Sequence, residues 1–222
     1  MIFASAFDEL GTYLEEPSIR AAALHQAGEV MDVFLHPEHR RVFEFVRHDG
    51  SLMEEPPGRV VNPGHAIESM WFMIHLFEHM GDHQRVRQCI EAIRWHLELG
   101  WDVEHGGLFL ALDAARSPWE QKWDLKIWWP HTEAVYALLL AHSLCGEAWC
   151  MEWFQRVHDY AFSHFPVGDH GEWIQNLDRR GRKVEGTVAL PVKDPFHLAR
   201  SLILSTGLLE RLAGGTPISP AS

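Results

Sequence analysis

No apolar run in the 222 residues approaches the ~18 needed to cross a bilayer, so a spanning helix is not expected. Basic residues are scarce. Nineteen Lys and Arg face 31 Asp and Glu, for a net charge of -12, and no basic stripe stands out. Such a surface repels phosphate backbones, which argues against a nucleic-acid partner. Cysteine is rare as well: Cys89, Cys145 and Cys150 are odd in number and form no CxxC pair. Residues 1–11 are too short and too acidic for a signal peptide. The expectation is a cytoplasmic chain with reduced thiols. GxGxxG and Walker loops are missing, and Ser143 and Ser201 lack the context of a nucleophile elbow.

What remains is an ordinary globular composition, 46% hydrophobic and 23% charged, which excludes a disordered or low-complexity chain. Histidine and tryptophan are unusually common, at 16 and 10, whereas tyrosine numbers only 3. Those rings suit a pocket for a polar, ring-shaped ligand. Composition alone fits a Trp-rich helical core at least as well.

An internal repeat organises the chain. Asn62-Pro63-Gly64-His65, Trp129-Pro130-His131 and Asp194-Pro195-Phe196-His197 are three related helix starts, and their histidines lie 66 residues apart. Residues 105–113 and 170–178 align at nearly the same period, and residues 42–50 sit about one period earlier. All three read as short β-ribbons closed by polar turns. Helical periodicity covers 66–80, 84–99, 134–144, 149–165 and 196–212, with an earlier outer helix over 18–35. The unit is therefore helix, helix, ribbon. The expected fold is all-α, an α/α toroid of the (α/α)6-barrel type. About three and a half hairpins are present, in one domain over 1–213 with a disordered tail over 214–222.

Asn62 and Asp194 are good N-caps, each followed by Pro at the first helical position. His65 and His197 then fall in the first turn, where the helix dipole lowers an imidazole's pKa and a neutral ring can accept a proton. Charged neighbours accompany each histidine: Glu68 after His65, Glu133 after His131, Arg200 after His197. Two bases, carboxylates and a guanidinium in one mouth suit proton transfer beside a carbonyl, with Arg200 stabilising an enediolate oxygen. A lone first-turn histidine is more often a cap or a core packer. His131 reads as either a substrate-binding or a structural residue. His75, His79 and His83 have metal-like spacing, but Gly81-Asp82 ends the helix before His83, so no metal is expected.

Gly58-Arg59, Asn62-Pro63-Gly64-His65-Ala66-Ile67-Glu68, Lys126-Ile127-Trp128-Trp129-Pro130-His131-Thr132-Glu133-Ala134, Gly171-Glu172-Trp173 and Phe196-His197-Leu198-Ala199-Arg200 occur in this order. Together they resemble the N-acylglucosamine 2-epimerase family, from about residue 35 to residue 212. Ala199 stands where relatives often have proline. The resemblance implies the C-terminal part of an (α/α)6 barrel. It also implies a sugar 2-epimerase interconverting N-acyl-D-glucosamine and N-acyl-D-mannosamine, with His65 and His197 as acid/base residues and Glu133 and Arg200 needed beside them. Glu68, Lys126, Trp128, His131, Glu172 and Trp173 would bind substrate. By the same resemblance no cofactor is required, ATP is an activator and the partner is a small sugar; from the repeat count, the chain is either a fragment or half-closes and pairs with a second copy as a homodimer. Two further readings stay open. One is an aldose–ketose isomerase, of mannose or sulfosugar type, or a cellobiose 2-epimerase; the other is an inactive truncated paralogue or an interaction module.

Overall fold

The computed structural model describes residues 1–113, 124–168, 171–184 and 196–214. Seven α-helices dominate these residues: α1 (Ile2–Tyr13), α2 (Pro17–Glu29), α3 (Pro63–Met80), α4 (His83–Gly100), α5 (Trp128–Cys145), α6 (Ala148–His164) and α7 (Phe196–Ala213). Helices α1 with α2, α3 with α4, and α5 with α6 pack as hairpins; α1, α3, α5 and α7 pack side by side in that order. This is an arc of four inner helices backed by three outer ones, the three and a half hairpins expected from the repeat. Among the described residues no helix is long and apolar enough to cross a membrane.

Burial explains the division into inner and outer helices. Every residue from Pro130 to Ala141 on α5 is buried, as are Ile67, Met70, Met73 and Ile74 on α3. A helix that is apolar all round must be covered on all sides. The outer α4 buries one face, with Val86, Cys89, Ile90, Ile93 and Leu97 along its stripe. Local signals set the ends. Asn62 Oδ1 accepts the His65 N–H at 3.0 Å, and Pro63 opens α3. Gly81, at φ +71°, closes it with the Gly81 and Asp82 N–H groups donating to the carbonyls of Glu78 and Phe77. Asp82 then caps α4 through the Arg85 N–H.

Three expectations change. Helix α1 carries no side-chain cap, and its buried positions are Ala4, Asp8 and Gly11, so hydrophobic periodicity does not reveal it. The helix expected over 18–35 runs only to Glu29 and continues as a π turn, Val30–Phe34. The inner helix expected over 134–144 begins earlier, at Trp128. The Asp194-Pro195 cap, His170 and residues 215–222 of the tail lie outside the described residues.

Among the described residues the ribbons form four two-stranded antiparallel sheets. They pair β1 (Leu35–His36) with β2 (Arg41–Val42), β3 (Val60–Val61) with β4 (Leu112–Asp113), β5 (Lys126–Ile127) with β8 (Asn176–Leu177), and β6 (Pro166–Val167) with β7 (Glu172–Trp173). The period survives in the register. Leu35 pairs with Val42, and the isolated bridge Trp101 to Leu108 lies 66 residues later. Strands β3 and β5 each lead into an inner helix, and each is fixed by a strand from the following loop.

Candidate active site

Glu133 is the hub of the site. It lies on α5, 1% exposed, and a carboxylate so buried needs partners to offset its desolvation. His197 Nδ1 stands 2.8 Å from Oε1, Arg200 Nη2 donates to Oε1 at 3.2 Å, and Trp71 Nε1 donates to Oε2 at 2.8 Å. A carboxylate only accepts, so the His197 proton sits on Nδ1 and the ring's basic lone pair on Nε2. Three inner helices, α3, α5 and α7, thereby meet at one carboxylate.

Glu68, on α3 and 2% exposed, completes the cluster. Its Oε1 is 3.5 Å from Arg200 Nη2 and 3.9 Å from His197 Nδ1, and among the described residues that atom and Arg200 Nε are buried without a hydrogen bond. Burial, reinforced by the Glu133 charge, pushes the Glu68 carboxyl up to about 7. Glu68, Glu133 and His197 bring ligand-type atoms within 4.8 Å of one another. The Arg200 guanidinium already supplies positive charge to both carboxylates.

His65 has its own carboxylate. Its Nδ1 is 3.1 Å from both oxygens of Glu44, just beyond β2. Burial would lower its pKa, but the hydrogen bond and charge of Glu44 outweigh that, and Glu68 adds to them, so the pKa is raised. This corrects the expectation of a pKa lowered by the helix dipole, because a close charge exceeds the pull of a helix end. The indole of Trp129 joins the two imidazoles: its centre is 5.1 Å from the His65 ring and 5.2 Å from the His197 ring, at 29° and 31° to them. His65 and His197 are therefore never further apart than those two spacings laid end to end.

Other residues expected to bind substrate are engaged within the protein, Trp128 edge-on to the His197 ring at 5.8 Å. His131 is fully buried: Nε2 accepts the Leu108 N–H at 2.9 Å and Nδ1 faces the Ile127 carbonyl at 2.7 Å. Burial pushes its pKa down to about 3. With both nitrogens committed to backbone it ties a ribbon to α5, the structural one of its two expected roles. Lys126 is held inside the protein likewise. Its fully buried Nζ pairs with Asp102 Oδ2 at 3.0 Å and donates to the Arg179 carbonyl. Trp128 is 2% exposed with its N–H on Gln175, and Trp173 stacks on Phe165 at 5.9 Å; both belong to a second small core, so neither offers an open indole face. Glu172 lies on β7 and accepts the Trp173 N–H.

Sequence reasoning passed over Glu44, Trp71 and Trp129. Trp71 falls three residues after Glu68 on the same helical face, a usable signal. Glu44 comes from a ribbon 21 residues before His65, and only folding brings the two together. The metal-like histidines separate: His75 bonds the Tyr136 hydroxyl, His79 bonds Asp8, and His83 lies on α4 near Glu78.

Comparison with known proteins supplies the context. The family described as N-acylglucosamine 2-epimerase (GlcNAc 2-epimerase) matches residues 7–201. The N-acylglucosamine 2-epimerase of Bos taurus is 35% identical over 187 residues, covering 82% of this chain and 44% of its own; that of Homo sapiens is 33% identical, covering 78% and 44%. The chain thus spans less than half the length of these curated relatives. Among solved structures, cellobiose 2-epimerase from Bacillus thermoamylovorans superposes with a TM-score of 0.77 at 16% identity, covering 93% of this chain and 51% of that one. A D-mannose isomerase superposes with 0.77 at 14%, covering 93% and 52%. At these identities the likeness is one of fold, the (α/α)6 barrel.

Proposed function

Because this chain belongs to the N-acylglucosamine 2-epimerase family, we propose that it carries the proton-transfer half of a sugar 2-epimerase acting on N-acyl-D-glucosamine and N-acyl-D-mannosamine. The observation that carries this reading is the pair of imidazoles, each held at Nδ1 by a carboxylate and both packed against Trp129. Anchoring at Nδ1 leaves Nε2 as the basic atom of each ring, the arrangement a general base needs.

In the open-chain aldose the C1 carbonyl acidifies the C2 proton. One histidine removes that proton to give a cis-enediolate, and the other, as imidazolium, returns a proton to the opposite face of C2. Arg200 fixes Glu133, and through it His197, and places positive charge beside the developing oxyanion. Glu68, raised toward neutrality, keeps a second full negative charge away from the enediolate. A proton returned to C1 instead would yield a ketose, the outcome for an aldose–ketose isomerase.

Three finer proposals go with this reading: a nucleotide such as ATP as activator, from the family; a cytoplasmic location, from the cysteine usage; and pairing of two copies, from the repeat count. The pairing has support in the apolar residues left exposed on the edge helices, Phe3 and Leu10 on α1 and Ile203 on α7.

The test is exchange at C2 in heavy water, followed by NMR with N-acetylglucosamine, mannose and cellobiose. Exchange with N-acetylglucosamine is expected, with kcat/KM falling by about 10²–10⁴-fold in His65→Ala and in His197→Ala. Exchange with mannose alone, yielding fructose, would replace the substrate assignment. Lack of exchange with any sugar would favour an inactive interaction module.

A further inference from the structure

Two of the three thiols meet at the far end of α5. Cys145 is its last residue and Cys150 the third residue of α6; the turn between them passes through Gly146 at φ +69°. Their sulfurs are 3.7 Å apart, in van der Waals contact. A disulfide needs about 2.05 Å, so each sulfur has to travel on the order of 1 Å, within reach of side-chain rotation at a hairpin turn. The active-site cluster lies near the opposite end of this helix, on the order of 20 Å away at 1.5 Å per residue.

We propose that Cys145 and Cys150 form a peroxide-sensitive dithiol, a covalent modification site that closes reversibly into an intramolecular disulfide across the α5–α6 turn. The two sulfurs divide the work by exposure. Cys145 is half-buried and borders a groove of about 530 Å³ between α4 and α5, which admits a small neutral oxidant. The Glu147 N–H points at its sulfur at 3.5 Å. Cys150 is buried, and burial raises its thiol pKa, so it attacks second. Cys89 is the internal contrast: buried against Met31 at 3.8 Å, its thiol pKa raised by desolvation, with neither access nor a thiol partner.

The steps balance. The Cys145 thiolate displaces hydroxide from hydrogen peroxide, which takes up a proton as water, and becomes a sulfenic acid. The Cys150 sulfur then attacks the Cys145 sulfur, forming the S–S bond as the sulfenic hydroxyl takes the thiol proton and leaves as a second water. Two thiols are oxidised by two electrons, and one peroxide is reduced to two waters. A dithiol reductant of the thioredoxin class reverses the reaction by exchange.

The experiment uses the full chain. After treatment with stoichiometric hydrogen peroxide, free thiols are alkylated with iodoacetamide under denaturing conditions and peptides are read by mass spectrometry. The expected result is a peptide joining Cys145 to Cys150 that lacks two hydrogens, with Cys89 fully alkylated, and recovery of both thiols after dithiothreitol. In Cys150→Ser, dimedone should capture a sulfenic acid on Cys145. Alkylation of both Cys145 and Cys150 after peroxide overturns the proposal, as does Cys145 advancing to sulfinic acid in the native sequence or an intermolecular cross-link. The readout is independent of catalysis, so it stands or falls apart from the epimerase reading.

Discussion

Two carboxylates set the proton chemistry of this site. Glu44 raises the pKa of His65 against the effect of burial, by hydrogen bond and by charge. Glu44→Gln removes the charge, so the His65 pKa should fall. If His65 acts as base in the free protein, the acid limb of kcat/KM moves to lower pH by the same amount; an NMR titration of the imidazole checks the cause directly. Glu68 makes a stability prediction. Its folded pKa of about 7 lies above the ordinary carboxylate value, so the folded chain binds the extra proton and this residue's contribution declines as pH rises from about 4.5 to 7. Glu68→Gln cannot ionise. Its Tm relative to the parent chain should therefore climb between pH 5 and pH 8, by the equivalent of roughly 2 kcal/mol. A difference flat with pH would show that Glu68 is ionised throughout.

The helix starts are the elements that position the chemistry, and one glycine permits their approach. A Cβ built on Gly64 would lie 2.7 Å from Trp129 Cη2 and 2.9 Å from Pro130 Cβ, so α3 and α5 touch there only because the residue has no side chain. Gly64→Ala should push the indole away from both imidazoles and lower kcat/KM by roughly 10²-fold, the cost of an ångström-scale misplacement. Circular dichroism should show the helices retained. The repeat itself divides between chemistry and structure. His65 and His197 stand at the start of their helices against Trp129, whereas His131, at the same period, is a buried strut between α5 and the Leu108 backbone. A similar strut occurs at His96, whose Nε2 accepts the Val42 N–H at 3.1 Å. Identical spacing was visible in the sequence; the fate of each imidazole depended on whether a ribbon backbone reached it first.

Among the described residues the arc of inner helices has α1 and α7 at its two edges. Phe3 is 63% exposed on α1 and Ile203 is 71% exposed on α7, both large apolar side chains on edge helices. Pairing of two copies through such edges predicts concentration-dependent sedimentation. Ile203→Glu should shift the protein toward monomer with little change in helix content, since that side chain costs nothing to the packed core. Sedimentation of the parent chain as a monomer at all concentrations would remove the homodimer.

The order of helices after α1, the period of 66 residues, the Asn62 cap, the Gly81 stop and the outer-helix stripe of α4 were legible in the sequence, because each rests on interactions within a turn or two of chain. So was the candidacy of His65, Glu68, Glu133, His197 and Arg200. The sequence did not show that Trp129 rather than Trp128 lies between the imidazoles, that Glu44 pairs with His65, or that Lys126 closes on Asp102 inside the protein. Those contacts join residues dozens of positions apart or depend on which of two adjacent side chains faces the core. A one-residue difference turns a helical side chain through about a hundred degrees, and only the packing of α3, α5 and α7 against one another decided which way each one pointed.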